Sequence, residues 1–225
     1  MRTKTLLLAA AFSAATILTS NAQVYSVNAV GYVNVTVNLG SGATTPSLMA
    51  NPLNGSPDNT IGSVLPSVPD FTLLYTFENG GFVGPATFLF GAWDDPTVTV
   101  APGQGFFLIL DNNFASDPTI ITFVGEVPQG TLTTPVPDGV SLLASQVPQS
   151  GGLTTDLGFP AANLDLVYLW DNDAHAYSGG FTFFDFGGGA TAWDPSEPTL
   201  NPADAFVLIT TGGARDWTRT FSVNP

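Results

Sequence analysis

The chain has no cysteine among its 225 residues, so neither disulfides nor thiolate metal sites hold it together, and its stability must come from a packed core. Positive charge is nearly as scarce. Lys and Arg number 4 against 18 Asp and Glu; Arg2 and Lys4 sit at the start, which leaves Arg215 and Arg219 as the only cations beyond it. Such a chain cannot neutralise phosphates, which excludes nucleic acid as a partner and disfavours an anionic membrane surface. It has a single histidine, His175, and no Gly-x-Ser-x-Gly elbow, so hydrolysis by a Ser or Cys triad lacks its parts. Helical sequence is also sparse, because 24 Gly and 18 Pro are spread along the whole chain and both are costly inside helices. The longest apolar run, residues 6–18, is shorter than the roughly 20 residues that span a bilayer, so no transmembrane segment is expected.

That run belongs to a start of another kind. Basic residues precede it and the small-residue exit Ser20-Asn21-Ala22 follows it, the pattern of a secretory signal peptide over residues 1–22 with cleavage before Gln23. No cysteine follows, so lipoprotein anchoring is excluded. The exported chain would carry two cations against 18 carboxylates, a charge of -16. Hydrophobic residues at 44% and aromatics at 12% against 10% charged place it among well-packed globular proteins. Scattered carboxylates keep an apolar secreted protein soluble, and some of them converging on one ion would bind calcium. A calcium loop of the helical type starting at Asp171 is not matched, because Ala176 holds its glycine position and Thr182 its closing glutamate position.

The strongest positive signal is internal duplication. Ser47-Leu48-Met49-Ala50 returns as Ser141-Leu142-Leu143-Ala144, Tyr75-Thr76-Phe77 as Tyr168-Leu169-Trp170, and Ala92-Trp93-Asp94 as Ala192-Trp193-Asp194. Pro102-Gly103-Gln104-Gly105 before Phe106-Phe107-Leu108-Ile109 returns as Pro202-Ala203-Asp204-Ala205 before Phe206-Val207-Leu208-Ile209. The offsets stay between 93 and 100, with the drift confined to Gly-rich stretches. Val30-Gly31-Tyr32-Val33 echoes Val124-Gly125-Glu126-Val127, which predicts a first β repeat with a lead strand over 23–123 and a second over 124–225.

Short runs rich in β-branched and aromatic residues predict strands near 33–39, 47–50, 71–77, 87–90, 97–100, 106–110 and 119–124, then near 140–144, 164–170, 181–186, 199–200, 205–211 and 217–223. Residues 59–65 and 155–159 predict one helical turn each, capped by Asp58 and Thr154 and ended by Pro66 and Pro160. The expected fold is all-β: two tandem sandwich-like repeats, side by side or fused into one pseudo-symmetric body. Pro102-Gly103-Gln104-Gly105 reads as a turn feeding a buried strand; no GKS or GKT follows it, and Asp204 in the second copy would repel a phosphate.

Candidate site residues fall into two groups. The recurring pairs Trp93-Asp94 and Trp193-Asp194 either pack an indole on the core beside a turn, or present a ring and a carboxylate to a sugar. Asp171, Asp173 and His175 lie in a hairpin tip that the first half replaces with Glu78-Asn79-Gly80-Gly81. Paired carboxylates for glycoside hydrolysis would be drawn from Asp94, Asp95, Asp171, Asp173, Asp194 and Glu197. Strand-like sequence near both ends allows self-association by strand pairing with a neighbouring molecule.

Four segments together carry a resemblance: Ala22-Gln23-Val24-Tyr25-Ser26, Val27-Asn28-Ala29-Val30-Gly31-Tyr32-Val33, Phe123-Val124-Gly125-Glu126-Val127 and Trp217-Thr218-Arg219-Thr220-Phe221-Ser222-Val223-Asn224. The chain resembles a group of uncharacterised secreted bacterial proteins with a duplicated aromatic-rich β unit. The resemblance implies secretion and brings no activity, cofactor or catalytic residue with it. The function expected is a non-enzymatic secreted structural or adhesive protein of the cell envelope or matrix. A carbohydrate-binding module is the alternative, and a polysaccharide-acting hydrolase the third reading.

Overall fold

The computed structural model describes residues 29–223, so the expected signal peptide and residues 23–28 lie outside the described residues. The first half runs through β1 (Val30–Val37), β2 (Thr44–Ala50), one helical turn α1 (Ile61–Val64), β3 (Leu73–Glu78), β4 (Gly81–Leu89), β5 (Ala92–Trp93), β6 (Gly105–Asp111) and β7 (Thr119–Glu126). The second runs through β8 (Gly130–Val136), β9 (Gly139–Ala144), β10 (Gly151–Gly152), β11 (Leu166–Asp171), β12 (Ala176–Tyr177), β13 (Phe181–Asp185), β14 (Thr191–Asp194), β15 (Thr199–Leu200), β16 (Ala205–Thr210) and β17 (Arg215–Phe221). All strand pairing is antiparallel, and the fold is all-β and sandwich-like.

The strand orders of the two halves correspond. The large sheet is β2-β6-β3-β4-β5 in the first and β9-β16-β11-β13-β14 in the second, with the two-stranded sheets β1-β7 and β8-β17 beside them. Alternation sets the inner faces: Ile121 and Phe123 of β7 meet Phe106, Leu108 and Leu110 of β6 in one core, and Trp217 of β17 meets Phe206 and Leu208 of β16 in the other. Burying each such side chain contributes about 1.5–3 kcal/mol.

Strand β6 is apolar on both faces, and the second face explains how the halves join. Leu48, Ala50 and Phe107 form a third cluster with Leu142, Ala144 and Ala205, between the large sheets. The backbone bonds across it are reciprocal: Ala50 N–H donates to Ala203 C=O at 2.9 Å, and Ala144 N–H donates to Gly103 C=O at 3.0 Å. Gly103 (φ 92°) and Ala203 (φ 71°) are both left-handed, so in each half the turn residue with positive φ is the one whose carbonyl crosses the junction. Approach is close enough that a Cβ on Gly105 would lie 2.8 Å from the Ala205 Cβ. Equivalent surfaces meeting each other is the pattern of a two-fold dimer interface, realised here within one chain.

Local expectations differ from what forms in several places: the short strands β5, β10, β12 and β14 had no expected counterpart, β4 begins at Gly81 and not near residue 87, and four further differences have a clear cause. Residues 97–100 hold one bridge, between Thr60 and Thr99, and no strand, because they close over α1 instead of pairing along a neighbour. Strand β8 had no expected counterpart, since Gly130 and Pro135 masked its threonine-rich run. The helical turn exists as α1, but its N-cap is Thr60, with no side-chain capping bond, and not the expected Asp58, which accepts from the Thr60 N–H at 3.1 Å and the Ser63 hydroxyl at 2.8 Å just before it; residues 155–159 form no helix, only a turn through 157. Finally, β7 continues through Glu126, so the expected 123/124 division falls inside one strand. Val30 pairs with Glu126, Gly31 with Gly125 and Tyr32 with Val124: the two echoing segments are partners across a ladder, and the strand that stands where β1 stands is β8.

Candidate functional site

The recurring Trp-Asp pairs lie at the far edges of the two large sheets, Trp93 ending β5 with Asp94 just after it, and Trp193 and Asp194 both on β14. Trp93 is 6% exposed; its indole N–H donates to the Leu65 carbonyl at 2.8 Å and its ring meets Phe88 edge-on at 5.3 Å. Asp94 accepts from the backbone N–H groups of Thr87 at 2.7 Å and Asp95 at 2.8 Å, shaping the turn after the strand. Trp193 is half-buried against Phe183 and donates to the Thr154 hydroxyl at 3.2 Å, while Asp194 is exposed opposite Thr182. Glu197 completes that corner. It accepts from the hydroxyl and backbone N–H of Thr154 and from the backbone N–H (2.8 Å) and hydroxyl (2.9 Å) of Thr155. Burial works to raise its carboxyl, but these four donors together hold it below the ordinary range.

The hairpin between β11 and β12 is a clamp between the halves. Asp171 accepts from the N–H groups of Ala174 and Asp173, each at 2.9 Å, which hold its carboxyl below the usual carboxylate range. Asp173 accepts from the Asn38 side-chain amide of the first half at 2.7 Å, and His175 (φ 51°) lies against Gly40, where a Cβ would come within 3.0 Å of its ring. The structure thus brings Asp171, Asp173 and His175 together and sets them apart from both Trp-Asp edges. Among the described residues, no group of three or more His, Cys, Asp or Glu side chains is placed to hold a metal ion. Nor is any helix among them long and apolar enough to cross a membrane.

Each half reaches over the other's large sheet with a hairpin, and each overhang makes a cleft. The β3–β4 hairpin, with Phe77, Glu78 and Asn79, overhangs Asp138, Val140 and Leu142, enclosing about 510 Å³ of mixed polar and apolar character. The β11–β12 hairpin, with Trp170 and Tyr177, overhangs Pro46, Tyr75, Phe107 and Ile109, with Phe82 at the side, and leaves an open cleft of about 380 Å³ that is almost wholly apolar and aromatic. In this second cleft successive rings meet edge to face, two pairs nearly perpendicular, Phe107 to Trp170 at 5.4 Å and 88° and Trp170 to Tyr177 at 4.9 Å and 84°, and one inclined, Phe82 to Phe107 at 5.8 Å and 64°. Phe82 and Tyr177 are 58% and 48% exposed, so rings that could have been buried against each other line an open space. Burial raises the Tyr177 hydroxyl above its ordinary value, so it stays an uncharged phenol at neutral pH.

The cleft residues were not singled out in the sequence, because the rings come from β3, β4, β6, β11 and β12 and meet only through the junction. One signal pointed towards it: the run Phe106-Phe107-Leu108-Ile109-Leu110 is apolar on both faces, and its second face had to be covered by something. Comparison of the chain with family models, with curated proteins and with solved structures gives no match.

Proposed function

We propose that the chain is a non-enzymatic exported protein with an adhesive or structural role, made of two copies of one β unit fused into a single body, and that the aromatic cleft at their junction is its contact site. The observation that carries this reading is the open aromatic cleft, built from both halves and lined by half-exposed Phe82 and Tyr177. The acidic candidates support it from the other side. Asp94, Asp171, Asp173 and Glu197 each hold a turn or a corner together, which gives them a structural occupation. The reading is tested by retention of the chain on insoluble cell-envelope and matrix material. The variant Phe82→Ser with Tyr177→Ser, both at exposed positions, is expected to lose retention while remaining folded. Turnover of an ester or glycoside substrate that Asp194→Ala abolished would overturn the non-enzymatic reading.

Carbohydrate binding is the second reading. The rings of Tyr75 and Tyr177 favour it, since each offers a stacking face and a hydroxyl. Retardation in native gels cast with soluble polysaccharides distinguishes it, and the junction variant should migrate unretarded. Pairing of terminal strands with a neighbour would be an adhesive mode of its own. Strands β1 and β17 pair along their lengths with β7 and β8, which leaves only their outer edges to recruit another chain. Filaments seen by negative stain would mark that mode.

A further inference from the structure

We propose that the aromatic cleft between the halves binds an organic cation, a quaternary or fully alkylated ammonium group. This rests on the reading of the cleft as the contact site and names the chemistry of what enters it. The rings of Phe82, Phe107, Trp170 and Tyr177 line one open cleft, packed edge to face on one another, and a lining of aromatic rings attracts a cation that comes to lie over a ring face. An alkylated ammonium suits such a space because its methyl groups satisfy apolar walls while its charge is diffuse enough to leave water. A sugar ring would find side-chain partners only at the Tyr75 and Tyr177 hydroxyls and the Trp170 indole, and would leave its other hydroxyls unpaired against Pro46, Phe82, Phe107 and Ile109.

Charge decides the sign of the ligand. The whole chain carries a net charge of -14, and the hairpin that lays Trp170 and Tyr177 over the cleft carries the carboxylates Asp171 and Asp173 between them. The only two cations among the described residues, Arg215 and Arg219, both lie on β17 and are engaged elsewhere, Arg215 with Asp165 and Arg219 with the Gln149 side chain at 2.6 Å. An anionic ligand would meet repulsion without a compensating partner. An organic cation is drawn in by the field of the whole molecule and held by the rings.

The test compares choline with 3,3-dimethyl-1-butanol, its neutral isostere, by calorimetric titration and by the chemical shift of the Trp170 indole, at constant ionic strength. Choline is expected to bind about ten-fold more tightly than the isostere, the scale of a cation held against several desolvated rings. Tyr177→Leu and Phe82→Leu keep apolar volume at exposed positions and should erase that preference without lowering Tm appreciably. Equal binding of choline and the isostere would overturn the cation proposal while leaving the cleft as a contact site. Binding of neither, with no movement of the Trp170 signal, would overturn the cation proposal, while the contact-site reading would stand or fall on the retention assay. Binding of choline that survived Tyr177→Leu and Phe82→Leu together would place the cation elsewhere and also overturn the proposal.

Discussion

Equivalent positions in the two halves meet the same burial requirement with different chemistry. Thr72 in the first half is fully buried and donates its hydroxyl to the Pro69 carbonyl at 2.7 Å. Its counterpart Asp165 is also fully buried, but as an ion: it accepts from the Ala162 N–H at 2.8 Å and pairs with Arg215, which in turn donates to the Pro160 carbonyl at 2.7 Å and lies over the Phe159 ring. Removing one member leaves the other charge buried and unpaired, so Asp165→Asn should destabilise by about 3–5 kcal/mol. For a chain of this length each kcal/mol lowers Tm by roughly 2–4 °C, so a loss on the order of 6–20 °C is expected in a thermal melt. A loss under about 2 °C would show that the pair is solvated in solution. Glu197 gives a pH-dependent case. Its carboxyl is held below its ordinary value of 4.5 in the folded state, so its contribution is fully present above that value and is lost as pH falls through the lower folded value. The Tm gap between the native chain and Glu197→Gln should therefore be widest near neutral pH and close as the solution is acidified below 4.5. A gap that widened on acidification would reverse the sign and refute the assignment.

At the scale of the element, the two hairpins show what was readable and what was not. The β3–β4 turn, Asn79 (φ 51°) and Gly80 (φ 80°), is a two-residue Asn-Gly turn, but the hairpin was not read, because the strand after it was expected only near residue 87 and the Gly-rich stretch 80–84 hid its start. The β11–β12 hairpin was readable as a tip carrying Asp171, Asp173 and His175, but not as a clamp, because Asn38 lies 135 positions from Asp173 and nothing local links them. The strands beginning at Thr44, Gly105, Gly139 and Ala205 followed from apolar runs whose sequence repeats. Strand β8 did not, since a Gly and a Pro at its ends carry the signal of a loop. Replacing Asn172-Asp173-Ala174-His175 with Asn-Gly would give the second half the first half's turn and remove the bond to Asn38. The chain should stay folded, with unchanged far-ultraviolet circular dichroism and a Tm lower by a few degrees, about 1–2 kcal/mol for a hydrogen bond to a carboxylate. An unaltered Tm would mean that the clamp holds nothing.

For the molecule as a whole, the reciprocal bonds of Ala50 to Ala203 and Ala144 to Gly103 make the junction part of the fold and not a surface where two finished domains touch. Each large sheet is buried on its inner face by its own two-stranded sheet and, near β2, β6, β9 and β16, on its outer face by the other half, so neither half would keep a covered outer face alone. The shape of that junction also creates the clefts, which is why the sequence, read one half at a time, reached the Trp-Asp edges and the polar tip of the β11–β12 hairpin but not the rings of the cleft beneath that hairpin. Gly105→Val inserts side-chain volume where even a Cβ would lie 2.8 Å from Ala205. It should cost about 1–3 kcal/mol by overpacking and act on both halves at once. Differential scanning calorimetry of the chain and of Gly105→Val tests this most directly. One transition, with equal calorimetric and van 't Hoff enthalpies and moved to lower temperature as a whole by Gly105→Val, is the predicted result; two separate transitions, or a shift confined to one of them, would contradict a single fused body.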